Sequence, residues 1–208
     1  YGGGQPDSSL YVIDLSNPDK AKVVNDLPEF EDQIHTIQAA KGFLYLNDAK
    51  GRCRVLDLAN PAHPKIAATY SGVDCHDSHI VGDRLYVAGG WKGVWDIVDI
   101  ADPKQPKLLG RTERVEGIYA HSGWLTADKK YFYGIEELNR RDILIFDFSK
   151  PTAPKQVGTF SLPDNSIAHN AEIRGKYLHV AHYESGFIVL DISNPLKPKK
   201  VGQYKTWK

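Results

Sequence analysis

The chain of 208 residues carries 26 Lys and Arg residues against 26 Asp and Glu residues, so its formal net charge is zero. This balance argues against nucleic acid as a partner, because phosphate binding needs a basic face. A hydrophobic content of 41% excludes a disordered chain, two cysteines cannot build a disulfide framework, and no apolar run reaches the roughly 18 residues of a transmembrane segment. The sequence contains no Met, so we expect a processed mature chain or a fragment.

One motif, an Asp followed four residues later by a Pro, recurs along the chain at intervals of 43, 42, 48 and 44 residues. Its five copies begin at Asp14, Asp57, Asp99, Asp147 and Asp191. Two apolar residues precede each Asp, and a Lys stands four positions after each Pro. An Asp accepts backbone N–H groups two residues on, and a Pro cannot donate to a β-ladder. Each copy therefore predicts a hairpin whose first strand ends at the Asp and whose second strand is an edge strand.

Two further predicted strands precede each of the last four copies. The second of them starts at a Gly in three units (Gly42, Gly82 and Gly175) and at Lys130 in the remaining one. The first of them opens with a histidine in every unit, namely His35, His76, His121 and His169. Four short antiparallel strands in about 43 residues are typical of a propeller blade.

These units predict an all-β protein, a partial β-propeller with four complete four-stranded blades and one half blade. The predicted boundaries within this single domain are 1–32 for the outer strands of the incomplete blade, then 33–73, 74–115, 116–164 and 165–208. Four and a half blades do not close an ordinary ring. We therefore expect a piece of a longer propeller, whose open edges pair with other protein chains or with the remainder of the propeller.

One segment conflicts with this pattern. Between residues 29 and 42, Phe30, Ile34 and Ile37 follow the spacing of an amphipathic helix. Alignment with the other three units places the opening strand of a blade there instead. The register of the repeat therefore predicts a strand and no helix of three turns.

Short runs within the repeats resemble a known family. The runs IVDI at 97–100 and VLDI at 189–192 resemble the LVIVD repeat, and residues 119–126 and 168–195 are similar to segments of the bacterial choice-of-anchor B LVIVD propellers. This resemblance implies a β-propeller from a secreted or surface-anchored protein, located extracellularly, in the periplasm or at the cell surface. It implies no particular activity.

The repeated histidines carry the clearest hint of chemistry. Because side chains alternate along a strand, His35, His76, His121 and His169 at equal register should point toward one axis near one face. Converging neutral imidazoles can bind a divalent transition metal such as Zn, Cu or Fe. The alternative is structural, with each histidine bonded locally to the Thr, Asp, Ser or Asn that follows it.

Other groups near the same face could complete a metal site. His79 follows the histidine of its unit by three residues, while His182 and the carboxylates Glu136 or Glu137 stand where second strands end. We therefore add His79, His182 and Glu136 to the candidate metal ligands.

The remaining motifs indicate no chemistry. No nucleophile elbow, phosphate loop or dinucleotide fingerprint is present, so no catalytic residue or organic cofactor is assigned. The Asp turns each offer one carboxylate, too few for calcium. Cys53 falls in an apolar core slot, and a Cys53–Cys75 disulfide stays open.

Three functions remain compatible with the sequence. The first is an extracytoplasmic binding or interaction scaffold, and the second is a metal-dependent enzyme with an axial histidine cluster. The third is a purely structural module of a surface assembly joined through its open ends. Metal content distinguishes the enzyme from the other two.

Overall fold

The structure is a computed structural model that describes residues 10–30, 34–48, 50–138, 143–162 and 166–206. Within this part of the chain there are eighteen β-strands, three one-turn 3-10 helices and no α-helix. The 3-10 helices are Pro18–Lys20, Pro28–Phe30 and Tyr183–Ser185. The predicted all-β class is confirmed. The first nine residues of the predicted half blade lie outside the described residues.

The strands form one two-stranded sheet, here called the half blade, and four four-stranded sheets, here called blades 1 to 4. The half blade consists of β1 (Leu10–Asp14) and β2 (Lys22–Leu27). Blade 1 consists of β3 (Ile34–Ala40), β4 (Phe43–Asp48), β5 (Arg52–Asp57) and β6 (Lys65–Tyr70). Blade 2 consists of β7 (Asp77–Val81), β8 (Arg84–Ala88), β9 (Trp95–Asp99) and β10 (Lys107–Arg111).

The last two blades repeat the same plan. Blade 3 consists of β11 (Ala120–Leu125), β12 (Tyr131–Glu136), β13 (Ile143–Asp147) and β14 (Lys155–Phe160). Blade 4 consists of β15 (Asn170–Arg174), β16 (Tyr177–His182), β17 (Gly186–Asp191) and β18 (Lys199–Tyr204). Each strand pairs antiparallel with its neighbour in sequence, so every blade is a meander. The first strands of successive blades contact one another and are therefore the innermost strands.

The five repeated Asp residues form the predicted turns. Each ends the strand before the outermost one, and its Oδ1 accepts the backbone N–H two residues on at 2.8 or 2.9 Å. The donors are Ser16, Ala59, Ala101, Ser149 and Ser193. The motif therefore specifies where each hairpin turns.

These turns should make stability depend on acid. Donation by the backbone N–H of Ala59, and secondarily by Lys104, lowers the pKa of Asp57 in the folded state, and Asp14, Asp147 and Asp191 are shifted in the same direction. Because the folded-state pKa lies below the unfolded value of about 3.9, each ionised carboxylate stabilises the fold above that pH. This stabilisation is lost as the pH falls through the folded-state pKa.

We expect the melting temperature of the wild type to fall more than that of Asp57→Asn between about pH 5 and pH 3, because Asn keeps the turn but does not titrate. Thermal melts of both proteins across that range measure the difference. An identical fall in melting temperature for the two proteins would contradict a stabilising role for the ionised carboxylate of Asp57.

The segment with helix-like spacing is a strand, as the repeat register predicts. Pro28–Phe30 forms a 3-10 turn, and β3 then runs from Ile34, with residues 31–33 outside the described part. Phe30 and Ile34 share one apolar cluster with Leu10 and Leu27 of the half blade. The spacing arises because a turn and the start of a strand deliver both side chains to the same interface.

Apolar layers join neighbouring blades. One position, four residues before each turn Asp, is filled by Cys53, Trp95 and Ile143 in blades 1 to 3, and these side chains are at most 1% exposed. Trp95 also donates its indole N–H to the carbonyl of Ser122 in the next blade, at 2.9 Å. Cys53 and Cys75 are both buried free thiols, so the structure contains no disulfide between them.

Candidate functional site

A β-bulge places the repeated histidine in blades 1 and 3. In blade 1, Ile34 pairs with Asp48 and Thr36 pairs with Asn47, so His35 between them has no partner in the β-ladder. Blade 3 shows the same shift between Ala120 and Ser122, around His121. A bulge inserts one extra residue and re-aims its side chain.

The other two blades make an equivalent arrangement. The backbone N–H of His76 donates to the carbonyl of Ala88, which is also the ladder partner of Asp77. The N–H of His169 likewise donates to Ala181, the partner of Asn170. In these two blades the histidine therefore lies directly before the innermost strand and is held by a backbone hydrogen bond to the second strand.

The four imidazoles converge at one end of the innermost strands, in chain order. Ring centroids lie 4.0 Å apart for His35 and His76, 4.7 Å for His76 and His121, and 4.3 Å for His121 and His169. We call these four residues the histidine cluster. Their predicted convergence on one region is observed, whereas metal binding stays a prediction.

A carboxylate joins the cluster. Glu137 Oε2 lies 3.6 Å from His121 Nε2, and Glu137 Oε1 lies 3.5 Å from His169 Nε2. Two groups of three side chains have ligand atoms within 4.8 Å of one another: His35, His76 and His121; and His121, Glu137 and His169. His121 belongs to both groups and is therefore the central member.

Two tyrosines hold members of the site. Tyr119 Oη lies 2.8 Å from His76 Nδ1, and Tyr183 donates its hydroxyl to Glu137 Oε1 at 2.8 Å. The hydrogen bond at Nδ1 leaves His76 Nε2 as the nitrogen available to a ligand.

Burial keeps the central imidazoles neutral. Desolvation, reinforced by neighbouring histidines, lowers the pKa of His76 to about 3 and that of His121 to about 4, and it also lowers the pKa of His35. His76 Nε2 and His121 Nδ1 are buried and have no hydrogen-bond partner among the described residues. An uncharged imidazole with a free nitrogen is a competent metal ligand.

Three of the four polar residues that follow the histidines bond to groups other than the imidazoles. Thr36 Oγ1 accepts from Asn47 Nδ2 at 2.8 Å, and Asp77 Oδ1 accepts from the N–H of Ser78 at 2.6 Å. Ser122 donates its hydroxyl to the carbonyl of His169 in the next blade, at 2.9 Å. These bonds tie blades and turns together and leave the rings facing one another.

The three additional candidates lie outside the cluster. His79 stacks on Trp124 with ring centroids 3.9 Å apart. His182 Nδ1 lies 2.7 Å from the hydroxyl of Ser166. Glu136 is fully buried and its Oε2 accepts from the N–H of Leu138 at 3.1 Å. At the end of β12 it is Glu137 that reaches the histidines.

The blades define the architecture of a partial β-propeller, with the histidine cluster at one end of its innermost strands. The model of the LVIVD repeat matches residues 35–71, 74–113 and 167–206, which is more than half of the chain. The protein therefore belongs to the LVIVD repeat family. No curated protein matches the sequence.

Solved propellers share this fold at low sequence identity. They include a periplasmic gluconolactonase of Pseudomonas aeruginosa (13% identity, TM-score 0.78, 97% of this chain and 64% of that one). A candidate 6-phosphogluconolactonase of Bacteroides uniformis matches with 15% identity and a TM-score of 0.75, over 99% of this chain and 67% of that one. A hypothetical selenium-binding protein of Sulfolobus tokodaii matches with 15% identity and a TM-score of 0.71, over 96% and 57%.

These likenesses concern the fold alone, because all identities are far below 25%. The chain spans about two thirds or less of the length of these structures. Among the described residues, no helix has the length and apolar character needed to cross a membrane.

Proposed function

We propose that the histidine cluster binds a divalent transition metal ion such as Zn, Cu or Fe. The observation that supports this most is that four blades each contribute one imidazole to one region that also contains the carboxylate of Glu137. Imidazole nitrogen with carboxylate oxygen is a donor set suited to these metals.

The ion would be held by His121 together with one of two pairs of side chains. The first pair is His35 and His76, and the second is Glu137 and His169. A bound metal of this kind supplies Lewis-acid chemistry, or a bound water of lowered pKa. Glu137 would act as a further ligand or as a base for that water, and Tyr183 orients it through the hydrogen bond to Oε1. Metal-dependent catalysis is thus the activity that this site would serve.

Metal analysis tests the proposal. The purified protein is dialysed against Zn²⁺ and then against buffer without metal, and the retained metal is measured by mass spectrometry. We expect about one Zn²⁺ per chain to be retained at micromolar protein concentration. Retention no greater than that of a denatured sample would contradict a folded metal site.

A second candidate function, an interaction scaffold, is supported by the two exposed ends of the blade series. At the position where Cys53, Trp95 and Ile143 are at most 1% exposed, Phe187 of blade 4 is 41% exposed. At the other end Ile13 is 51% exposed, although Leu56, Val98 and Phe146 in its position are buried. Among the described residues no blade covers either end, and we propose that each end receives the opposite end of a second copy.

Self-association would follow from these faces. Sedimentation velocity should show concentration-dependent oligomers that Phe187→Glu weakens at least about tenfold, since a charge there opposes apolar burial. The control is Leu108→Glu, at a residue that is 48% exposed on an edge strand of blade 2. A wild type that stays monomeric at all concentrations would contradict the scaffold proposal.

We also propose an extracytoplasmic location. The sequence resemblance to choice-of-anchor B propellers supports it, and one structural neighbour is a periplasmic protein. Fractionation of the producing cell, with the protein detected by antibody, would test the location.

A further inference from the structure

A second ring of side chains lies along the innermost strands, three residues after each histidine. It consists of Gln38, His79, Trp124 and Glu172. Their equal register follows from the ladder, where they pair with Tyr45, Tyr86, Tyr133 and His179 of the second strands. The histidine cluster repeats one residue type in every blade, whereas this second ring has a different residue in each.

The second ring borders a cavity of about 310 Å³. Residues from all four innermost strands line it, among them Asp77, Trp124 and Asn170. Volumes of this order accommodate a small organic molecule. The cavity begins one residue beyond the histidine cluster, because Asp77, Ser122 and Asn170 directly follow three of its members.

Not every member of the ring is free to bind a ligand. Gln38 donates to the carbonyl of Ser78 at 2.7 Å and accepts from the N–H of Ile80 at 3.0 Å, so it joins blade 1 to blade 2. His79 is 8% exposed, stacks on Trp124, and its Nε2 has no hydrogen-bond partner among the described residues. The half-buried indole of Trp124 offers an apolar surface beside that unused nitrogen.

The charge of the wall selects against anions. Asp77 and Glu172 line the cavity, and no Lys or Arg does so within the described chain. Glu172 is already paired with Arg174, and Asp77 accepts from Ser78, so the carboxylates serve as hydrogen-bond acceptors more than as a site for a cation. A phosphate or carboxylate would enter this cavity without a counter-charge.

We propose that this cavity binds an uncharged monosaccharide. The C–H face of a pyranose ring would pack on the indole of Trp124, and its hydroxyl groups would bond to Asp77, Glu172 and the amide of Asn170. Neutral His79 would supply one further hydrogen bond from Nε2. The site is independent of a metal in the histidine cluster.

Calorimetric titration with D-glucose, D-galactose and D-mannose tests the inference, on protein as purified and after EDTA treatment. We expect at least one sugar to bind at a 1:1 ratio in both samples, and its 6-phosphate to bind at least about tenfold more weakly. Trp124→Leu should weaken sugar binding at least about tenfold, and Glu172→Gln should weaken it measurably even if the first variant folds poorly. The matched control is Trp91→Leu, at a tryptophan that is 65% exposed and outside the cavity.

Several results would overturn the inference. These are the absence of binding by all three sugars, equal affinity for a sugar and its 6-phosphate, and unchanged affinity in both variants. Binding of choline in place of the sugars would identify a cation site and overturn it as well. Because the EDTA-treated sample is measured separately, sugar binding is tested independently of metal binding, and failure of the metal proposal does not affect the test.

Discussion

Replacing His121 by alanine is expected to abolish metal binding. His121 belongs to both groups of potential ligands, so its loss leaves each group with two side chains. Removing any other histidine of the cluster leaves one complete group, and His35→Ala should therefore weaken retention less than His121→Ala. Retained Zn²⁺ measured after dialysis gives both values.

The matched control for this experiment is His63→Ala, since His63 is an exposed histidine whose ring contacts Asn25 at 3.2 Å. It should retain metal as the wild type does. If the histidines served only the fold, the wild type would hold no metal, and His121→Ala would instead lose stability by about 1–3 kcal/mol through unmade hydrogen bonds. Thermal melts of the same variant separate these outcomes.

Among the substitutions predicted here, Trp95→Ala is expected to cause the largest loss of stability, about 3–5 kcal/mol in the free energy of unfolding. The indole is fully buried, and its ring lies so close to Gly134 that a Cβ there would meet it at 2.9 Å. Its ring centroid is 5.1 Å from that of Phe146, and its N–H bonds to the next blade. Truncation would open a large cavity between blades 2 and 3.

Urea or thermal unfolding measures this effect. A loss of that size corresponds to a melting temperature lower by roughly 6–20 °C for a chain of this length. Trp91→Ala is the control, because its exposed ring should cost no more than about 0.5 kcal/mol. A melting temperature for Trp95→Ala within 2 °C of the wild type, about the effect of 1 kcal/mol or less, would contradict the packing described.

The sequence predicts the blades because each hairpin is specified locally. The turn Asp accepts a neighbouring N–H, and the Pro ends the ladder, so the motif has the same physical effect in each copy. The helix-like spacing of Phe30 and Ile34 is overruled by comparison with the other units. The interactions of this motif lie within about five residues and recur in every unit, so the motif alone predicts the positions of the strands and turns.

The site is predicted less completely because its contacts cross between blades. The register of the histidines predicts their convergence, but the bulges that re-aim His35 and His121 leave no signal in the sequence. Which of Glu136 and Glu137 reaches the cluster depends on where β12 ends. Tyr119 bonds to a histidine 43 residues away, and no local pattern indicates such a partner.

The metal site is tested most directly by X-ray absorption at the metal edge of the Zn-loaded protein. We predict a first coordination shell with at least two imidazole nitrogens at about 2.0–2.1 Å, and loss of that shell in His121→Ala. A spectrum with an oxygen-only shell, or one that His121→Ala leaves unchanged, would contradict a metal centre at the histidine cluster.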